Sequence, residues 1–503
     1  MQLKRGRSTA LAAIAFAAAT GVLFLLFHAL RHDDAYITFQ FARNLARGDG
    51  FAFNAGEPIL GTTSPLSALL LAAYYAVTGG AIPEAAVLLG AASLTAQSLL
   101  LYRLLRDTSR GFAALAAALI WLGWAGAHAW LALETNLVAT FALATLWSLQ
   151  QRRDALAGLF LGLAFLGRYD AGLLVPIVTI GQWLRTRTLP IRMLLVAAAV
   201  VLPWLVFATL YFGSPLPNTF AAKQRLTEPA EYARQYFEHF AGQPWSALGL
   251  PTSYQFFSPL LWILGLAALP RLAASRVFEF IVFGLLLFAA YARIGPPAGH
   301  HWHLYPATLV FNLLALVGLV EILDGLRKRF PLQQRAWRGV AVTVAAAMLG
   351  LAVAESLRFS RELPDAFWFG ARHRRYAATA EWTAAHVQPG RSLLAIEVGT
   401  LGYLSGLRMI DASGLINPTN DFPRTHSLPS YVELVRRFQP DLVLANTSDD
   451  GHAIASSTGY RVAHVFEWKQ PWSTLLVRTP DVLIDADAVL QDPALREAAP
   501  AAR

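Results

Sequence analysis

The sequence predicts a polytopic α-helical membrane protein with a small C-terminal α/β domain outside the membrane, and three observations carry that reading. First, the 503 residues are 55% hydrophobic and only 15% charged, with a mean hydropathy of +0.44. That is too apolar for one water-soluble globule. Second, the apolar stretches are punctuated by short arginine clusters. Third, after about Glu355 the composition turns to that of soluble protein. The formal charge of +9 does not signal a nucleic-acid partner, because the basic residues lie between apolar segments, where bilayer orientation accounts for them. With no cysteine there is neither a disulfide framework nor a thiolate metal site.

Lys4, Arg5 and Arg7 precede apolar residues from Thr9 to Leu30. This run is longer than the apolar core of a secretory signal and no small-residue cleavage site follows it, so it reads as a spanning helix with a cytoplasmic N-terminus. The loop beginning at Arg31 is then extracytoplasmic, which in a bacterium with two membranes is periplasmic. In this loop, RHDDAYITFQFARNLARGDGFAFNAGEPILGTTS, the polar residues Tyr36, Gln40, Arg43 or Asn44, and Arg47 recur at helical spacing opposite Ile37, Phe41 and Leu45. A short amphipathic helix at the membrane surface is expected, with Asp33 and Asp34 at its N-terminal end. An Asp there can be a helix N-cap. A cap accounts for one carboxylate, not for two beside a bilayer.

Further apolar segments run from 83 to 105, 111 to 131, 135 to 150, 155 to 167, 171 to 184, 193 to 212, 256 to 270, 277 to 292, 304 to 325 and 338 to 356. Between them lie Arg106 with Arg110, Arg152 with Arg153, Arg185 with Arg187 and Arg192, Arg271 with Arg276, and a cluster from Arg327 to Arg338. Treating 66 to 78 as a re-entrant or interfacial piece puts every cluster inside and gives eleven spans, or thirteen if two segments are misjudged, with the C-terminus outside either way. The outer side then gathers the Asp33 loop, Glu134, Arg168 with Asp170, the loop 213 to 255, and the loop Tyr291 to His303. These loops are placed to line one cavity. A charge at a helix end can also simply snorkel to the interface, but a charge at membrane depth is costly and usually faces a cavity or a partner.

The division expected is residues 1–355 in the membrane and 356–503 outside it. Strand-like runs at Ser392 to Ile396, Leu442 to Ala445, Val462 to Phe466 and Thr474 to Val477 surround a helix-like stretch at Tyr431 to Phe438. The segment EVGTLGYLSGLRMIDASGLINP, 397 to 418, reads as turn chemistry near Glu397, Tyr403 and Asp411. No phosphate-cradling glycine loop occurs in the chain.

The first loop, opening HDDAYI, resembles that of the GT-C superfamily of polyprenyl-phosphate-dependent glycosyltransferases, and within it is most similar to the terminal arabinofuranosyltransferases of bacterial cell envelopes. LALETN (131–136), LGRYDAGLL (166–174), YFGSPLPNTFAAKQ (211–224) and EVGTLGYLSGLRMIDASGL (397–415) match in order and spread over most of the chain. The HWHLYPA loop at 301–307 matches no fixed pattern. The resemblance implies transfer of a sugar from a polyprenyl-phosphate donor to a glycan, lipid or protein acceptor at the outer face of the inner membrane, by an inverting displacement that needs one carboxylate base. Asp33 or Asp34 supplies that base, with Asp33 preferred. Alternatively the two acids hold a divalent cation, Mg, Mn or Ca. Donor phosphate contacts are expected from Arg168, Lys223, Arg293, His301 and His303, with His300 beside them. The three histidines are also open to metal binding or to a plain interfacial role. Tyr36, Gln40, Glu134, Asp170, Asn218, Glu397 and Tyr403 complete the expected donor and substrate contacts.

Two other classes compete. A transporter or lipid-linked sugar flippase would show repeats or interrupted helices with a midplane site, and a membrane scaffold leaves the paired acids unexplained. Because the chain lacks cysteine, single cysteines at Gly48 and Asn446 report topology without background. Both should react with an impermeant thiol reagent added outside. Labelling of both only after lysis of spheroplasts overturns the orientation.

Overall fold

The computed structural model describes residues 2–106, 111–225, 269–270, 272–273, 275–294, 303, 305–330, 334–365, 370–418, 427–466, 473–486 and 489. The helical part contains α1 (Gln2–Phe27), α2 (Asp33–Arg47), α3 (Pro65–Thr78), α4 (Ile82–Leu105), α5 (Gly111–Leu122), α6 (Ala125–His128), α7 (Thr135–Gln150), α8 (Asp154–Gly167), α9 (Leu174–Thr186), α10 (Ile191–Phe212), α11 (Asn218–Arg225), α12 (Val277–Ile294), α13 (Tyr305–Arg329) and α14 (Gln334–Glu362). Among the described residues, helices at 82–105, 191–212 and 335–362 are long and apolar enough to cross a membrane. Nearly all of the expected span at 256–270 lies outside the described residues, as do His300 and His301.

α4 packs in the middle of the bundle, whereas α10 leaves Leu195, Leu202 and Leu210 exposed, a surface suited to hydrocarbon rather than water. The centre of the bundle is pinned by a buried polar network. Gln97 of α4 donates to Asn136 Oδ1 at 3.1 Å and accepts from Trp121 Nε1 and Tyr305, each at 3.1 Å, and Tyr305 also donates to Asn136 Oδ1 at 2.6 Å. Every polar atom in it finds a partner on another helix, so it specifies how α4, α5, α7 and α13 meet.

Two expectations change here. The apolar segment 111–131 is not one helix: α5 stops at Leu122, and the chain folds back through α6, held by His128 Nε2 against the Leu122 carbonyl at 2.8 Å. Nor does α2 rest on the membrane with one wet face. Tyr36, Gln40 and Asn44 of the polar stripe are buried, as are Ile37 and Phe41 of the apolar one. The polar stripe binds protein instead: Gln40 Nε2 donates to the Phe53 carbonyl at 3.1 Å, and Asn44 Nδ2 to the Ala52 and Phe53 carbonyls at 2.9 and 2.8 Å. Gly48 ends α2 in the left-handed region at φ 87°, so a cysteine there would be strained, and exposed Asp49 is the better reporter position.

Beyond the bundle lie α15 (Arg372–His386), β1 (Ser392–Ala395), α16 (Gly399–Ser405), β2 (Arg408–Asp411), α17 (Leu428–Phe438), β3 (Leu442–Ala445), α18 (Ser448–Thr458), β4 (Arg461–Phe466) and β5 (Ser473–Val477). The sheet order is β2-β1-β3-β5-β4, with β2, β1 and β3 parallel and β5 and β4 antiparallel. α17 starts at Leu428, with Pro429 in its first turn behind a Ser427 cap, and buries Tyr431, Leu434 and Val435, the one-face spacing of an amphipathic helix. β2 and α16 both fall in the glycine-rich stretch that reads as turns. Its glycines divide between turning and close approach: Gly406 and Gly414 take the left-handed region at φ 69° and 70°, whereas a Cβ on Gly402 would meet the Phe53 ring at 2.7 Å.

β2 carries the seam with the first loop. Asn54 reproduces a neighbouring strand by donating to the Met409 carbonyl and accepting from the Met409 amide, both at 2.9 Å, and Arg408 pairs with Glu57 at 2.5 Å. Asn218 Nδ2 lies 2.8 and 3.0 Å from the Gly414 and Leu415 carbonyls. The turn that presents those carbonyls is organised by Asp411, fully buried, which accepts from the Ser413 and Leu415 amides at 2.8 and 2.7 Å.

Burial pushes the Asp411 carboxyl from 3.8 up to about 7, against the amide hydrogen bonds that favour its charged form. A raised folded-state value means the folded protein holds the proton more tightly, so this contribution to stability is complete below about 4 and is lost as pH rises through about 7. Chemical denaturation at pH 5 and pH 8 should therefore show a loss of stability toward the higher pH that Asp411→Asn reduces. Equal pH dependence in wild type and variant overturns the assignment.

Candidate functional site

The acid pair is set by how α1 hands over to α2. Arg31 Nη2 pairs with Glu84 Oε1 at 2.5 Å, and His32 takes an extended conformation before the helix without a side-chain cap bond. Asp33 and Asp34 thus occupy the first turn of α2, where the positive end of the helix favours carboxylates.

Asp33 does not cap its own helix. It caps another, 366 residues further along: Oδ1 accepts from the Thr400 amide at 2.8 Å and Oδ2 from the Gly399 amide at 3.3 Å. Any side chain at Gly399 would overlap the Asp33 carbonyl oxygen, so only glycine permits this approach. Asp33 is only 6% exposed, whereas Asp34 is half-buried.

The same approach brings in a third acid. Ligand oxygens of Asp33, Asp34 and Glu397 lie within 4.8 Å of one another, and Glu397 is ion-paired with Arg372. His32 and His373 stand close by. Burial lowers the His32 imidazole despite the Asp34 charge that raises it, and burial, with Arg31 nearby, lowers His373 to about 4. Both rings are therefore neutral at physiological pH. The His373 ring stacks on Tyr36 at 5.4 Å between centroids, and Tyr403 lies edge-on to Tyr36 at 5.3 Å with the Arg43 guanidinium 4.1 Å over its ring. Three convergent carboxylates with neutral imidazoles beside them suit a hard divalent cation, and a carboxylate there is equally able to take a proton.

A second cluster gathers four of the expected residues. Arg168, 5% exposed in the extended link after α8, reaches Glu134 at 3.1 Å, Asp170 at 2.7 Å, the Tyr291 hydroxyl at 2.9 Å and His303 Nδ1 at 2.5 Å. Tyr291 donates in turn to Asp170 at 2.5 Å. These residues, expected on separate loops, do come together, but the guanidinium is engaged by protein groups on several sides. Glu134 also borders a narrow cleft with about 20 Å³ of space, lined on the α2 side by Ala35, Thr38 and Phe39.

Of the remaining expected contacts, Gln40 and Asn218 bind backbone carbonyls as described, and Glu397 and Tyr403 belong to the acidic site. His301 and the side chains of Lys223 and Arg293 lie outside the described residues. Sequence reasoning missed Arg372 and His373. The signal was the RHRR run at 372–375, a basic cluster in a segment that the charge pattern of the sequence assigns to the outside, where such clusters are not expected.

Residues 366–485 match a family described as a domain of unknown function, DUF8728. No curated protein sequence matches the chain. The fold is similar to that of ArnT from Cupriavidus metallidurans in the apo state, with a TM-score of 0.58 at 14% identity, covering 94% of this chain and 99% of that one. The undecaprenyl phosphate-bound form of that protein gives a TM-score of 0.53 at 15% identity, over 92% and 97% of the two chains. An Archaeoglobus fulgidus oligosaccharyltransferase in complex with Zn and sulfate gives 0.54 at 12% identity, over 91% of this chain and 72% of that one. The chain shares the fold of these two proteins.

Because Arg168 is a buried cation ion-paired with Glu134 and Asp170, removing it takes the counter-charge from two carboxylates. Arg168→Ala should cost about 3–5 kcal/mol of stability, read as a lowered unfolding midpoint in detergent. A variant as stable as wild type but weakened in donor binding would return Arg168 to the role of a phosphate ligand.

Proposed function

We propose that this chain is a membrane glycosyltransferase that moves a sugar from a polyprenyl-phosphate carrier to an acceptor hydroxyl at the outer face of a bacterial inner membrane. The observation that carries this reading is the cluster of Asp33, Asp34 and Glu397 just beyond the first long apolar helix, in a chain whose fold is that of an undecaprenyl phosphate-bound protein. The first-loop motif favours arabinofuranose as the sugar, and a glycan, lipid or protein supplies the hydroxyl. Residues 1–355 form the transferase module and 356–503 the outward unit that completes its site. The N-terminus faces the cytoplasm.

The chemistry is a single displacement. The acceptor oxygen attacks the anomeric carbon from the face opposite the phosphate, the bond from that carbon to the phosphate oxygen breaks, and the electron pair leaves with the polyprenyl phosphate. The acceptor proton goes to a carboxylate. Both oxygens of Asp33 accept backbone amides, which suits it to positioning, and half-buried Asp34 is the more accessible carboxylate and the better placed proton acceptor. Arg372, paired with Glu397, brings a cation beside the acids where the departing phosphate gathers charge. A divalent cation, Mg, Mn or Ca, fits the three carboxylates and when bound would offset that charge.

Transfer from a labelled polyprenyl-phosphate sugar in nanodiscs tests the reading. Asp34→Asn keeps the side-chain volume but removes the basic oxygen, and should lower turnover about 10²- to 10⁴-fold while donor binding persists. Near-normal turnover in both Asp33→Asn and Asp34→Asn ends the catalytic reading of this loop, and loss in folded Asp33→Asn alone moves the base to Asp33.

A further inference from the structure

α4 measures the distance between two polar sites. Its first turn carries Glu84, bonded to Arg31 beside the acid pair, and its last turn carries Leu104. The twenty helical steps from Glu84 to Leu104 rise about 30 Å. Leu104 therefore lies a full bilayer span from the acids, and there it lines a cavity of about 620 Å³ between the ends of α4, α7, α8, α9 and α12.

This cavity has a built wall. Glu279, 3% exposed, accepts from Arg185 Nε at 3.1 Å and from Arg276 Nη1 at 3.1 Å. Arg276 Nη2 also donates to Gln182 Oε1 at 2.5 Å, and Arg185 Nη2 to the Ser275 carbonyl at 2.8 Å. A Cβ at Gly181 would come within 2.7 Å of Glu279 Oε1, so glycine there lets the carboxylate lie between the two guanidiniums. One buried anion thus fixes two cations. Arg152 and Asp154 also line the cavity, so three arginines and one carboxylate face it with Glu279 behind the wall, and exposed Arg153 and Arg187 add to the positive rim. Leu104 and Leu149 make part of the lining apolar. Trp183, 43% exposed with the Arg187 guanidinium 5.4 Å over its ring, marks the membrane–water interface at this depth.

We propose that this cavity binds the phosphate of an anionic phospholipid in the leaflet opposite the acid cluster. Excess positive charge selects the anion, two guanidiniums held in place give forked hydrogen bonding, and the leucines meet the start of the acyl chains. A soluble phosphate ester has the same head chemistry but no use for the apolar part of the lining.

The test uses the full chain purified in a nonionic detergent, with bound lipid counted by native mass spectrometry. Phosphatidylglycerol should bind at least about tenfold tighter than zwitterionic phosphatidylcholine, and Arg276→Gln should remove about that factor. Arg152→Ala, at an exposed position, should weaken phosphatidylglycerol a few-fold and carries the test if Arg276→Gln does not fold. Equal affinity for the two lipids, or wild-type affinity in both variants, overturns the site. Glycerol 3-phosphate binding as tightly as phosphatidylglycerol assigns the cavity to a soluble phosphate ester and overturns the lipid.

Discussion

The rest of the structure depends on one carboxylate lying across two backbone amides. Asp33 accepts from Gly399 and Thr400, so the first turn of α2 and the first turn of α16 are held together, and Glu397, two residues before Gly399, is carried to the acid pair. The contact is charge-assisted and nearly sealed from solvent, and only glycine at 399 lets the backbones approach. Asn54 on Met409, Arg408 on Glu57 and Asn218 on the Asp411 turn extend the same seam. The small sheet unit is therefore joined to the acid pair, and residues on either side of the composition change lie together.

The cost of burying charge explains most other functional-looking residues. Arg168 is ringed by Glu134, Asp170, Tyr291 and His303, and Glu279 is held between Arg185 and Arg276. Each buried ion is paired and hydrogen-bonded, which is the condition under which charge survives away from water. The two junctions differ in what remains. At Arg168 two carboxylates, a hydroxyl and an imidazole surround one guanidinium, while around Glu279 two guanidiniums share one carboxylate and a cavity opens beside them. Local charge balance, more than residue type, separates a structural joint from a site with room for an anion.

The sequence by itself determined the helical membrane class, the small sheet unit with four of its five strands, and the loop residues that come together at Arg168: those features rest on hydropathy, period and charge, which are local properties of the chain. It also placed the two acids at the start of a helix. Only the tertiary structure decided what that helix faces, since amphipathic spacing is the same whether the polar stripe meets water or, as in Gln40 and Asn44, the carbonyls of a loop. In the glycine stretch 397–418 the turn reading holds at Gly406 and Gly414, but close approach leaves the same composition as turning, and Gly399 and Gly402 reveal their purpose only when Asp33 and Phe53 arrive. The joining of Asp33 to residues more than 360 positions away, with Glu397 and Arg372 brought alongside, follows from long-range docking, which leaves no periodic trace in a single sequence.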